Sequence, residues 1–461
     1  MMSPRLKFLF AGAAMIVGCD DVREVQVLVT PGLEEGVLST GDPPVARVEI
    51  SAIALDGEIQ LQATAAPGEG FDLGELPDTS IVTFELTGTT GDGEIVARGR
   101  SVAVDLGKLD TTDAPLPLFI QRLGTFARPP GGVLRSHVHA SAGTLAEQFL
   151  ILTGGDAAYG SDGPVDPSFA DYYDLLTLQG FESGQKLPVS ARSMVVRGTA
   201  LLLISDDEAM YVDLRSGVES TVEPTEQYSW SEVSGGATID GPNGTSFVVG
   251  PTRAEDPTNV VVLVDVSGSA TAVRLNQERA RAAAVYVDQV GLVIVGGANM
   301  GPGVEVVRED LSVTALSFPS DPVTGGAAVV SPTVSELVIV LGGRDQSAPA
   351  ATKVYDLRCP TDCLPTEIQL DLSPIASRGK AFVAGNEIVA VGDAEPDEDG
   401  LGETLAFIVD LAEGRVDPLP FRERRRGAVP VPAPNGTLVV MGGVTPAGQP
   451  ARTVEVFFPG R

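Results

Sequence analysis

Apolar runs of four to eight residues, bounded by Gly, Pro, Asp and Asn, follow one another along most of the chain, and helical periodicity is nearly absent. From about residue 135 the runs form a repeating unit. Its clearest strand ends in a glycine pair, as in 149–155, 292–297, 337–343 and 438–443. Weaker copies at 201–206, 246–250 and 388–393 have lost one or both glycines. With Gly154, Ser205, Gly250, Gly296, Gly342, Gly392 and Gly442 as marks, the steps lie between 45 and 51 residues. A further strand is expected after each mark, at 172–176, 210–214, 260–266, 304–307, 352–357, 404–411 and 453–458. A glycine pair at a strand end permits positive φ and close backbone approach, which suits a strand leaving a crowded centre.

The step is that of a four-stranded propeller blade, about 40 to 50 residues. An arginine precedes several first strands (Arg135, Arg192, Arg281, Arg378, Arg426), and several third strands end in an apolar or aromatic residue followed by Asp-Leu, as in Tyr355-Asp356-Leu357. Together with the glycine pair these features resemble the kelch repeat, over residues 116–461. The tryptophan usual on the last kelch strand is missing, Trp230 being the only one in the chain. The resemblance implies an all-β fold with a seven-bladed kelch-like β-propeller. The seventh copy stops one strand short, and the run 117–123 is expected to supply that strand and close the ring.

Residues 19–115 lack the period. Strands expected at 25–30, 45–55, 59–64, 81–87, 94–98 and 101–106, with Gly91-Asp92-Gly93 as a hairpin turn, predict a small antiparallel β-sandwich of immunoglobulin-like or transthyretin-like type. Ahead of it, Arg5 and Lys7 precede an apolar stretch at 8–17 that is too short to span a bilayer. Ile16-Val17-Gly18-Cys19 resembles the bacterial lipobox. That resemblance implies a signal peptide at 1–18, lipidation of Cys19, and a lipid-anchored place in the bacterial cell envelope, facing the periplasm or the exterior. Asp20-Asp21 resembles an inner-membrane retention signal of enteric lipoproteins and leaves the leaflet open.

Charge narrows the partners. With 31 basic and 62 acidic residues the net charge is -31, a field that repels nucleic acid. Besides Cys19 the chain has only Cys359 and Cys363, which are expected to form a local disulfide in an oxidising compartment. Copper oxidases of the galactose-oxidase type need two histidines and a cysteine-modified tyrosine. Here His137 and His139 are the only histidines, and His137 stands where kelch repeats place a histidine as part of the blade.

Two stretches carry candidate chemistry. Glu395, Asp397, Asp399 and Glu403, with Gly400 at the sixth place, resemble the calcium loops of integrin-type propellers, with Glu where Asp is usual at the first and ninth positions and Pro396 between ligands. An acidic solvated hairpin is the other reading. The run Arg422, Arg424, Arg425, Arg426 is read as a lead-in to the last blade, with an anion site as its rival. No catalytic constellation is found, so the expected function is a non-catalytic binding or scaffold module for a protein or glycan partner. The alternative is a glycan hydrolase with a carboxylate site in the propeller channel.

Overall fold

The apolar runs that define the repeat become the second strands of four-stranded antiparallel sheets, of which there are seven among the described residues. The computed structural model describes residues 22–459 except 35, 70, 72, 74, 78, 110–114, 225–227, 251–256, 346–347, 371–373 and 397–399. Within six of these sheets the four strands lie side by side in chain order, and in the last one the fourth place is taken by a strand from earlier in the chain. The first strands are Ser141–Leu145, Ser193–Arg197, Ala237–Asp240, Ala283–Val287, Ala327–Val330, Ser377–Ala384 and Val429–Pro432, and all seven border one channel. The molecule is an all-β propeller preceded by a smaller β-module.

The continuous apolar character of the second strands follows from burial on both faces. In Phe149–Thr153, Leu150 and Leu152 pack with Val429, Val439 and Met441 of the last sheet. Ile151 faces the other way, against Met194, Leu201 and Leu203 of the second sheet. The same division recurs round the ring, so each hydrophobic core lies between two neighbouring sheets. The core joining Leu150 to Met441 closes the circle.

The glycine pair is the joint between sheets. Gly154 and Gly155 have φ of 66° and 88°, and a Cβ on them would lie 1.8 Å from the Ala191 carbonyl oxygen and 2.3 Å from that of Val138. The first glycine thus fits against the next sheet and the second against its own. Gly155 N–H donates to Ala191 O at 3.1 Å, Gly297 to Val323 at 2.8 Å, Gly343 to Ile375 at 3.0 Å and Gly443 to His137 at 2.7 Å. Where the pair has become Ser205-Asp206, a side chain contributes a bond to the next sheet instead: Asp206 Oδ1 accepts from Ser234 Oγ at 2.6 Å.

The ring is completed by a different strand from the one expected. Phe126–Ala127, not 117–123, pairs antiparallel with Glu455–Phe457, with Phe126 opposite Phe457 and Ala127 opposite Val456. Leu116–Phe119 instead runs parallel to Val27–Thr30, and Gln121–Arg122 pairs with Ile95–Arg100. Both belong to the N-terminal module, which therefore continues past residue 115. The reason is packing: Phe126 is fully buried between Phe421 and Phe457, with ring centroids 4.6 and 5.7 Å away. Leu116, Leu118 and Ile120 fill the core of the first module.

That module is built on a six-stranded sheet whose central strand, Ile81–Thr89, alternates buried and half-exposed residues over most of its length. Its buried face is covered by Val25, Leu38, Leu73, Leu76 and Leu116, contributed by two short strand pairs, a single helical turn at Val37–Thr40 and the loops between them. The module is tied to the propeller by Arg128, which holds Glu34 with two hydrogen bonds of 2.9 and 3.2 Å, and by Asn435 Nδ2 donating to Arg100 O at 2.8 Å.

Cys359 and Cys363 form a disulfide, Cα to Cα 5.8 Å, in the connection between the third and fourth strands of the fifth sheet. Cys363 is buried against the core that holds Phe318 and Tyr355.

Candidate functional site

At the start of six of the seven first strands the chain makes the same left-handed kink. The residue two places ahead of the strand position that faces the residue before the mark has positive φ there: His139, Gly235, Arg281, Gly325, Arg378 and Gly427. Glycine meets this demand without strain, whereas a side chain in the left-handed region costs roughly 1 kcal/mol or more. Three sheets nevertheless carry His139, Arg281 and Arg378 there, all lining the channel. Such strain concentrates at functional sites.

The channel encloses about 440 Å³, within the range of small-molecule sites. Among the described residues its charged lining is Arg192, Arg281, Arg378 and Lys380 against one carboxylate, Asp240, with His139 beside them. In a chain with twice as many acids as bases this is an inversion of the bulk charge. Some of these groups are already matched. Arg192 donates to Asp156 Oδ1 and to Gly155 O, both at 2.9 Å. His139 lies between Asp156 and Asp393, at 2.6 and 3.2 Å, and Arg378 is 4.0 Å from Asp393. Asp240 accepts from Ser246 Oγ at 2.9 Å.

Two cations have no such partner among the described residues. Arg281 is exposed to the channel, its backbone carbonyl alone being used, by Gly325 N–H at 2.9 Å. Lys380 lines the channel, with its side chain open to the channel space and the walls close round it. Desolvation by those walls, and then Arg378, push its ammonium below the ordinary lysine range. Lys380 faces Val391, just before the mark Gly392; the positions facing the equivalent residue in the other sheets are Ser141, Ser193, Ala237, Ala283, Ala327 and Val429.

Several sequence-expected residues take other places. The structural cations of the fourth and seventh sheets are not Arg281 and Arg426 but their neighbours Arg279 and Arg425, which are buried and bonded to the buried acids Glu305 (2.9 Å) and Glu455 (3.0 Å) of their own third strands. His137 plays the same part in the first sheet, with Nε2 3.1 Å from Asp171 and Nδ1 3.0 Å from Gly154 O. Both of its ring nitrogens are committed to the blade. Within the basic run, Arg424 clasps Glu403 with two hydrogen bonds, and Arg422 Nε donates to Phe126 O at 2.7 Å.

The calcium candidate is brought together only in part. Its ends meet, Ala394 N–H donating to Glu403 O at 2.8 Å, but Glu395 is ion-paired with Arg344 and Glu403 with Arg424. Asp397 and Asp399 lie outside the described residues, as does Cys19.

Fold and channel together define a propeller with an open, cation-lined centre. No family model and no curated protein sequence matches the chain. Among solved structures it is similar to a fungal alcohol oxidase of the AA5 family in complex with copper, at 12% identity and a TM-score of 0.46 over 73% of this chain and 76% of that one. It is also similar to a quinonprotein alcohol dehydrogenase-like protein from Bacteroides thetaiotaomicron, at 12% and 0.39 over 89% of each chain. The WD40 domain of Neurospora crassa Pan2 matches at 12% and 0.38, over 69% of this chain and 88% of that one. These are likenesses of overall propeller-like form and say nothing of chemistry.

Proposed function

We propose that the chain is a kelch-like, lipid-anchored binding module of the bacterial cell envelope, held by an acylated Cys19, whose channel end receives a protein or glycan partner. The observation that carries this reading is the channel itself, an open concavity lined by five of the six left-handed lead-in residues, of which His139, Arg281 and Arg378 are the strained ones. A glycan hydrolase would use two facing carboxylates. The described lining offers Asp240 alone, and the buried acids Asp171, Glu305 and Glu455 are bonded to His137, Arg279 and Arg425.

The test is photo-crosslinking in intact cells from a reporter placed at Ala282 on the channel, compared with one at the exposed Asp92 hairpin of the first module. A discrete adduct from Ala282 alone is expected. The Cys19→Ala chain should lose both palmitate labelling and the adduct. Adducts from the Asp92 position only, or from neither, would reject the channel as the recognition face.

A further inference from the structure

We infer that the propeller channel is a binding site for a small, multiply charged anion bearing carboxylate or phosphate groups, held between Arg281 and Lys380. The inference rests on the channel geometry and stands apart from the identity of any macromolecular partner.

The backbone brings the two cations to either side of one gap. Gly325 N–H donates to Arg281 O at 2.9 Å and Gly379 N–H donates to Gly325 O at 3.3 Å, so the lead-ins of the fourth, fifth and sixth sheets are linked in series. The middle one is Gly325-Gly326, which has no side chain to fill the space between them. Arg281 offers a planar fork suited to carboxylate or phosphate, and Lys380 a compact point charge. Arg192 and Arg378 lie on the same lining and are matched by Asp156 and Asp393, so they add donors while the net excess of charge comes from the free pair.

Self-repulsion makes the arrangement costly unless something offsets it. Lys380 is disfavoured in its charged form by its walls and by Arg378, and Arg281 is held in a backbone conformation that glycine adopts more readily at the same place in three other sheets. A purely structural demand would be met better by Gly at 281 and by Ser or Ala at 380, the residues used elsewhere in the ring. A bound anion relieves the first of these penalties directly, since it favours the charged ammonium. The near absence of aromatic rings from the lining, Phe382 apart, favours a compact anion over a stacked sugar.

Calorimetric titration of the purified mature chain with inorganic pyrophosphate and with citrate tests this, with glucose and choline as uncharged and cationic controls. Both anions are expected to bind with a dissociation constant below about 1 mM at low salt, and the controls not at all. Lys380→Met and Arg281→Gly should each weaken binding about tenfold or more, as loss of a charge-assisted hydrogen bond does. Arg308→Gln, which removes an exposed charge on the outer part of the fourth sheet, should leave it unchanged. Arg281→Gly has a second readout: its melting temperature should be unchanged or raised, because the strain is relieved. The inference is overturned if neither anion binds, if Arg308→Gln weakens binding as much as the channel variants, or if Arg281→Gly melts lower while binding normally. Failure here would leave the crosslinking result at Ala282 untouched, and the reverse also holds.

Discussion

Gly154→Ala is expected to destabilise the propeller by roughly 3 kcal/mol, the sum of a left-handed backbone and a forced overlap. At φ 66° the added Cβ pays the steric penalty of that region wherever it occurs. Its second penalty is local. The methyl would lie 1.8 Å from the Ala191 carbonyl oxygen and 2.7 Å from its carbon, and backbone cannot yield as a flexible side chain does. Relief requires the first and second sheets to move apart, and that also stretches the bond from Gly155 N–H to Ala191 O. Gly217 separates the two terms, since its φ is 70° but nothing lies within 4 Å of a Cβ there. Gly217→Ala should therefore cost only about 1 kcal/mol. Denaturant midpoints of the two variants give the comparison. Equal losses would mean that the glycine pair is a turn feature and not the joint between sheets.

The second large effect is expected in the last sheet, where Arg425→Met should cost about 3 to 5 kcal/mol. Arg425 is fully buried, and burial lowers its pKa against the opposing pull of Glu455. Its guanidinium donates to Glu455 Oε1 at 3.0 Å, Thr453 Oγ1 at 2.8 Å and Thr453 O at 3.0 Å. Glu455 would keep its bonds from the Arg422 and Glu423 amides, at 2.7 and 2.8 Å, but would be a buried carboxylate stripped of the guanidinium that pairs with it. Removing both charges in Arg425→Met with Glu455→Leu should restore part of the loss, so the double variant is more stable than the sum of the singles. Strict additivity in that cycle would deny the pair its role.

Much of this was legible in the sequence because burial on both faces writes itself as an unbroken apolar run. The runs ending at Gly154, Gly296, Gly342 and Gly442 needed no tertiary information, and even Ser205-Asp206 and Gly392-Asp393 kept their apolar part. The closing strand was not legible. Phe126–Ala127 is two residues long and shows no pattern, whereas 117–123 shows a good one and uses it in the other module.

The channel was hidden for a different reason. Arg279 and Arg281 are the same residue type two places apart, and only the local backbone decides which is packed inside the blade and which reaches the channel. Lys380 left a signal that strand-by-strand alignment could have found, a charged residue where the other first strands have Ser, Ala or Val. A bulge between Ser377 and Lys380 obscured the register.

Everything said of the channel requires a closed ring, and a pair of engineered cysteines tests that closure. Ala127→Cys with Val456→Cys places the thiols on facing residues of the last sheet, at a separation that antiparallel neighbours and disulfides share. Peptide mapping of the oxidised chain should find residues 127 and 456 covalently joined, while the corresponding Gln121→Cys with Val456→Cys chain, whose residue 121 faces Arg98 in the first module, keeps both engineered thiols free. A link from 121 to 456, or free engineered thiols in both chains, would contradict the ring as described.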